Sequence, residues 1–380
     1  TLDEGQTAAF VVEKLKSLGV AEIETGIGGH GVVATLRRQS TGAGGNRSVG
    51  LRADMDALPI SEATGLPYAS TNPGIMHACG HDSHTAMLMG VAEAMVAMKK
   101  DLKGEVMFIF QPAEEGPPDG ETGGASAMLA EGLFKDFKPE AIFGLHVWSA
   151  LNAGQVGYRS GPAMAASDRF RIVVKGRQTH GSRPWGGVDP IVAAANIVTT
   201  AQSIVSRRMD ISRLPVVVSF GAIKGGIRYN IIPDEVELIG TIRTFDEGMR
   251  QKVFAELKSI AEHVAAAHGA TVVNEVPDTK GNPATVNDPD LTARSLPSLI
   301  TVAGADNVVN MSLVMGAEDF SYYAKEVPGF FFFVGATPLG QDASTAPSNH
   351  SPEFFLDEAA LKVGTRSLLQ VALDYLNKAP

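Results

Sequence analysis

The chain has 380 residues, of which 44% are apolar and 19% charged, and carries a formal net charge of −10. That length exceeds one ordinary core and predicts two domains, while the negative balance argues against nucleic acid or an anionic membrane as main partner. No apolar run reaches the roughly 18 residues of a membrane span, and a single cysteine excludes an internal disulfide.

The opening Thr1-Leu2-Asp3-Glu4 has no signal-peptide pattern and leads straight into a helix, which reads as a trimmed start. The cytoplasm is the expected location. A secreted or periplasmic one is the alternative if a leader was removed. Ala8 to Leu18 has apolar residues at helical spacing and is closed by Gly19. Gly26-Ile27-Gly28-Gly29-His30-Gly31 matches the dinucleotide-binding fingerprint letter for letter, but the strand-like Val32 to Leu36 follows it. A phosphate-binding loop must open a helix, so a glycine-rich turn is expected instead.

Val49 to Ala53 reads as a buried strand ending in Asp54-Met55-Asp56, and Thr85 to Met98 as a helix. Glu105 to Phe110 is a strand ending at Gln111-Pro112-Ala113-Glu114-Glu115, Ala125 to Leu133 a helix, and Ala141 to Leu145 a strand ending at His146. This alternation predicts an α/β fold, with a central mixed, mostly parallel sheet flanked by helices. Composition changes near Ser160-Gly161-Pro162. A compact βαββαβ set follows: strands from Phe170, Val216, Glu235 and Thr271, a helix capped by Asp189 with Pro190 at its first position and running to about Arg208, and a helical stripe from Met249 to Val264. That order suits an inserted ferredoxin-like α+β domain. Asp278 to Pro289 reads as the second crossing. A helix near Asp290 to Val302, the strand Phe330 to Val334 and a last helix from Asp357 to Leu376 then return to the first domain. The expected division is 1–163 and 280–380 for the larger domain and 164–279 for the insert.

Ile75 to Thr85 holds the only cysteine and three of the nine histidines. A lone cysteine is ordinarily an inert buried thiol. Here Cys79 has His77 two residues before it and His81 two residues after, a spacing that favours metal ligation. Residues two apart on a helix point about 200° apart, so a loop is expected before the Thr85 helix, with Gly80 easing it. His77 and His84 read as packing or supporting residues. Asp54 and Asp56, Glu114 and Glu115, His146 and His350 lie just past predicted strand ends, the edge where open α/β sheets bind ligands. With Cys79 and His81 these donors exceed what one zinc needs, about three protein ligands plus water. They suit two metals about 3.5–4 Å apart. Adjacent Glu114 and Glu115 would ordinarily be a solvated acidic turn. Beside a metal, one can ligate while the other takes a proton from water.

Several stretches together resemble the M20 metallopeptidase family, subgroup D, the N-acyl-amino-acid amidohydrolases that include hippurate and auxin-conjugate hydrolases. They are Arg52-Ala-Asp54-Met-Asp56-Ala-Leu-Pro59, Met76-His-Ala-Cys79-Gly-His81-Asp82, Gln111-Pro-Ala-Glu114-Glu115-Gly116, Gly144-Leu-His146-Val147, Thr179-His180-Gly-Ser-Arg-Pro184, Tyr229-Asn230-Ile-Ile-Pro233, Gly240-Thr-Ile-Arg243, Gly316-Ala-Glu318-Asp319-Phe320 and Asn349-His350-Ser-Pro352. The family's further helix with His-x-x-Pro-Glu does not precede Thr1, which is attributed to truncation. The resemblance implies that Cys79, His81, Glu115, His146 and His350 bind two divalent metals, with Cys79 bridging. It makes Glu114 the general base and then the acid, and gives Asp56 the role of orienting a ligand. It makes the insert a lid and dimerisation domain. There His180 steadies the oxyanion in the partner's site, and Asn230 and Arg243 hold the substrate carboxylate. From residue chemistry alone, Arg243 reads as a solvated arginine on the polar face of its strand and His180 as a surface-loop histidine.

The expected function is hydrolysis of N-acyl-L-amino acids by a homodimer or higher homo-oligomer. Zinc is favoured, and manganese, cobalt and nickel remain open. The rivals are a dipeptidase or carboxypeptidase on the same scaffold and a non-catalytic metal or ligand binder. A serine hydrolase is disfavoured because no Gly-x-Ser-x-Gly elbow occurs.

Overall fold

The computed structural model describes residues 3–37, 47–118 and 120–377. Thr1 and Leu2, on which the reading of a trimmed start rests, lie outside them. The chain divides into two compact units, one of Thr1–Gly161, Val286–Ser312 and Asp319–Pro380, the other of Pro162–Thr285 and Leu313–Glu318. The insert expected over 164–279 is thus drawn slightly wider, and a short later segment belongs with it.

The first unit opens with α1 (Gly5–Ser17), β1 (Glu22–Ile27), β2 (Gly31–Leu36), β3 (Arg47–Asp54), α2 (His81–Ala97), β4 (Gly104–Gln111), α3 (Gly124–Ala130), β5 (Ala141–Asn152) and β6 (Val156–Tyr158). At the junction comes β7 (Gly161–Met164), and the second unit contains β8 (Ala166–Lys175), β9 (Thr179–His180), α4 (Pro190–Ser203), β10 (Val217–Gly225), β11 (Ile231–Ile232), β12 (Glu235–Thr244), α5 (Glu247–Ala267) and β13 (Thr271–Glu275). After β14 (Thr285–Asn287) the chain completes the first unit with α6 (Pro289–Ala303), β15 (Val308–Asn310), α7 (Phe320–Glu326), β16 (Gly329–Thr337) and α8 (Ala359–Asn377).

The large sheet has the order β1-β2-β4-β3-β5-β16-β6-β15. The glycine-rich stretch joins β1 to β2 as an antiparallel hairpin, so it opens no helix. The middle of the sheet is parallel: β4 with β3, β3 with β5, and β5 with β16. All nine residues of β16 are buried, as a parallel strand covered on both faces requires. Phe330 and Phe332 join one core with Met87, Leu88 and Val91 of α2 and Leu368 and Val371 of α8. On the opposite face Phe331 packs 5.0 Å from Phe320 of α7. Gly144 permits that packing, since a Cβ there would meet Phe331 at 2.8 Å and Phe320 at 3.0 Å.

The second unit has the antiparallel order β10-β12-β8-β13, the ferredoxin-like arrangement that the βαββαβ pattern predicts. Val236, Leu238 and Ile242 of β12 are buried with Ala193, Ala194 and Ile197 of α4 and Val253, Leu257 and Ile260 of α5. Asp189 caps α4 by accepting from the Ile191 and Val192 amides, and Asp246 caps α5 by accepting from Met249. The helical stretch expected to run to Arg208 ends as α4 at Ser203 and continues as a wider π turn over Ile204–Arg208. Among the described residues, no helix is long and apolar enough to cross a membrane.

Candidate metal centre

The Cys79–His81 segment departs from the expected loop. His81 is the first residue of α2, and only Cys79 precedes the helix. Gly80 reconciles the two ligand directions. Its φ of +89° turns the chain in a left-handed step that residues with a Cβ rarely take. His146 also departs from expectation: it lies inside β5, which runs on to Asn152. It is nonetheless beyond the last β3–β5 pair, Arg52↔Gly144, and its ring lies 5.9 Å from that of His81 and 4.7 Å from that of His84. Ala113 (φ 54°) and His350 (φ 70°) are the non-glycine residues with positive φ among those described. One immediately precedes Glu114 and the other is a candidate ligand, so both lie where strained backbone marks function.

Cys79 Sγ lies 3.2 Å from His146 Nε2 and 3.2 Å from His350 Nε2. His350 Nε2 is also 3.1 Å from Glu115 Oε1, and His81 Nε2 is 3.9 Å from that same oxygen. Ligand atoms of Cys79, His81 and His146 form one compact group, and those of Cys79, Glu115 and His350 a second, each within 4.8 Å. Cys79 is common to both groups. His81, Glu114 and Glu115 make a further such group.

The protonation pattern fits cations. His146 Nδ1 donates to the Val147 carbonyl at 2.6 Å, and this leaves its Nε2 lone pair facing Cys79. His81 Nδ1 pairs with Asp56 Oδ1 at 3.0 Å. His81 Nε2 is buried without a hydrogen-bond partner, an expensive state for a polar atom, and Glu115 Oε1 is buried with His350 Nε2 beside it. Ring nitrogens, a thiol and a carboxylate oxygen therefore converge on one another, and a divalent ion that displaced their protons would satisfy all of them. Burial, reinforced by Glu115 and Asp54 and opposed by His81, pushes the Cys79 thiol up to about 12. Burial opposes charge on His81, but Asp54, Cys79 and Asp56 together outweigh it and hold the imidazole well above its usual range. An ion on Nε2 would replace that proton and release the thiol proton. The donor set of thiolate, imidazoles and carboxylates suits two borderline-soft divalent ions.

Behind the donors lies a buried polar frame that the sequence reading did not assign. Arg52, 1% exposed, donates to Gln111 Oε1 at 2.9 Å, Asp54 Oδ2 at 2.8 Å and Asp319 Oδ1 at 2.8 Å. Asp319 also accepts from Gln111 Nε2 and the Ala125 amide. An arginine inside the apolar run Val49–Ala53 was the available signal, because a buried guanidinium must be paired. Asn349 links the His350 loop to the rest: its Nδ2 donates to the carbonyls of Cys79 and Val147, and its Oδ1 accepts from the Ser149 amide. His77 lies outside the cluster, in the wall of a crevice also lined by Tyr68 and Phe354.

The other expected residues belong to the second unit. His180, in β9, accepts at Nδ1 from the Ser182 amide at 3.1 Å. Asn230 carries a buried Oδ1 without a hydrogen-bond partner. Arg243, on β12, is partly buried, and burial lowers its pKa with only Asp168 opposing.

An α/β sheet whose parallel strands gather a thiol, imidazoles and paired glutamates at one edge defines a metal-dependent hydrolase. The chain belongs to peptidase family M20/M25/M40, whose model matches residues 50–374. It is 38% identical over 377 residues to thermostable carboxypeptidase 1 of Saccharolobus solfataricus, covering 99% of this chain and 91% of that protein. It is 42% identical over 271 residues to the N-acyl-L-amino acid amidohydrolase of Geobacillus stearothermophilus, covering 71% of this chain and 70% of that protein. Among solved structures it resembles the Bacillus subtilis YXEP protein, a dinuclear metal binding peptidase of the M20 family, with TM-score 0.80 and 34% identity over 100% of this chain and 94% of that one. This protein is accordingly a metal-dependent amidohydrolase or peptidase.

Proposed function

We propose that the protein hydrolyses N-acyl-L-amino acids to a carboxylic acid and a free amino acid, using two divalent ions held by Cys79, His81, Glu115, His146 and His350. The observation that carries this reading is the convergence of His146 and His350 on Cys79, with the buried His81 Nε2 and Glu115 Oε1 alongside. When bound, such an ion pair polarises a carbonyl and lowers the pKa of water. Glu114 takes the proton of the attacking water, whose oxygen adds to the acyl carbon, and returns it to the nitrogen as the C–N bond breaks. Asp56 keeps the His81 ring turned so that Nε2 faces the ions. Thiolate and imidazole favour zinc, with manganese, cobalt and nickel as the alternatives.

The second unit supplies substrate recognition and a dimer contact in this reading. Arg243 and Asn230 hold the free carboxylate, for which a guanidinium is the natural partner. His180, its Nδ1 occupied by Ser182, keeps Nε2–H to donate to the oxyanion in a partner copy. Trp185, Ile227 and Tyr229, exposed by 76%, 85% and 93%, support an interface on this unit. The Arg243→Ala variant should lose far more activity on substrates with a free carboxylate than on their esters. Equal losses would make Arg243 structural.

Metal content and amide hydrolysis measured together test the whole reading, on protein as purified, after chelation, and after return of zinc or manganese. About two ions per chain, with activity lost on chelation and restored by one metal, is expected. Bound metal with no hydrolysis of any acyl-amino acid or dipeptide would favour a binding protein instead. The likeness to a carboxypeptidase supports peptide cleavage as the second reading. Preference for unblocked dipeptides over acetylated and benzoylated amino acids would establish it.

A further inference from the structure

His84 is buried one helical turn past the candidate ligand His81, and both its ring nitrogens are engaged. The Val147 amide donates to His84 Nε2 at 2.8 Å, and His84 Nδ1 lies 2.6 Å from Asp54 Oδ1. An amide N–H can only donate, so Nε2 accepts and the ring is neutral with its proton on Nδ1. This assignment removes His84 from ligation, although its nitrogens lie close enough to Asp54 and His81 to form a metal-sized group.

The reason for the bond lies in the sheet. The β3–β5 ladder ends at Arg52↔Gly144, so three residues further on the Val147 N–H has no strand partner on that side. A buried amide must be satisfied, and His84 takes the place of the missing strand. Asp54, the last residue of β3, anchors the ring, while Arg52 Nη1 holds its other oxygen. On its carbonyl side Val147 accepts from His146 Nδ1 at 2.6 Å and from Asn349 Nδ2 at 3.1 Å. Val147 is therefore gripped at both peptide groups. One grip comes from the end of β3 through His84. The other reaches the rings of His146 and, through Asn349, the His350 loop.

We infer that His84 is a positioning residue that extends the β3 ladder in side-chain form and so fixes the backbone that aims His146 at Cys79. This rests on the proposed ligand role of His146. Two substitutions separate its two bonds. In His84→Gln the amide oxygen falls where Nε2 was and still accepts from Val147. In His84→Asn the shorter side chain reaches only Asp54.

The test is cobalt(II) binding to the whole protein against a competing chelator, together with the near-ultraviolet thiolate-to-cobalt band, which reports the Cys79 bond without any turnover. His84→Asn is expected to lose at least about tenfold in affinity for one of two ions, with an altered band. His84→Gln is expected to stay within about threefold of the parent at both. A folded His84→Asn protein with parental affinity and spectrum overturns the inference even if its melting temperature falls. So does a folded His84→Gln protein with the full loss, which keeps the test decisive should the asparagine variant not fold. A parent protein that binds no cobalt overturns the ligand reading as well, whereas a parent with two ions and insensitive variants overturns the role of His84 alone.

Discussion

Replacing Glu114 by Gln should leave two metals bound per chain and lower kcat by about 10²–10⁴-fold, the usual contribution of a positioned general base. Glutamine keeps the shape and hydrogen-bonding reach of the side chain but cannot accept a proton from water at neutral pH. The two neighbouring glutamates are not equivalent in geometry. Glu115 Oε1 sits 3.1 Å from His350 Nε2 and 3.9 Å from His81 Nε2, between the two donor groups, while its amide donates to Asp56 Oδ2. Glu114 approaches His81 and Glu115 but is not grouped with Cys79 or His350, and the Asp319 amide points to its Oε1 at 3.4 Å. The contrasting substitution Glu115→Gln should therefore cost metal, and Glu114→Gln should not. Steady-state kinetics with metal analysis of the same samples decides this. Near-normal turnover by the Glu114 variant would remove that residue from the mechanism.

Gly80→Ala should destabilise the protein by about 2–4 kcal/mol and strip it of metal affinity, though the new methyl replaces no ligand. Two costs add. A φ of +89° is strained for any residue with a Cβ, and the methyl carbon would stand 2.4 Å from Val147 Cγ2. Val147 follows the candidate ligand His146, so relief of the clash moves β5 away from Cys79 or turns the Cys79–His81 step. Both movements separate the Cys79 sulfur from a ring that now stands 3.2 Å away. Denaturant unfolding of the chelated protein isolates the stability term, and cobalt titration isolates the affinity term. A stability loss under about 0.5 kcal/mol, within the range of an ordinary surface substitution, would show that the turn adapts freely.

Much of this architecture was legible because its signals are local. The apolar run Phe330–Val334 marks a strand buried on both faces. Asp189-Pro190 marks a helix start, and the alternation from Glu235 to Arg243 marks a strand covered on one face. The glycine fingerprint at Gly26–Gly31 could be set aside because a strand follows it. The candidate centre was legible for a related reason: Cys79 and His81 are two residues apart, Glu114 and Glu115 adjacent, and each set sits next to a readable strand or helix.

By itself, the sequence determined the α/β character, the inserted βαββαβ unit and the chemical types gathered near the strand ends, since these follow from periodicity, capping and composition over a few neighbouring residues. Only the tertiary structure decided how those types meet. It placed His81 in the helix rather than before it, through one left-handed glycine. It put His146 within β5 yet past the end of its β3 ladder. It also paired Arg52 with Asp319 across 267 positions of chain and gave His84 an amide of β5 to hold. Hydrogen bonds between segments far apart in the chain leave no periodic trace in either one, so their partners become readable only once the chain has folded.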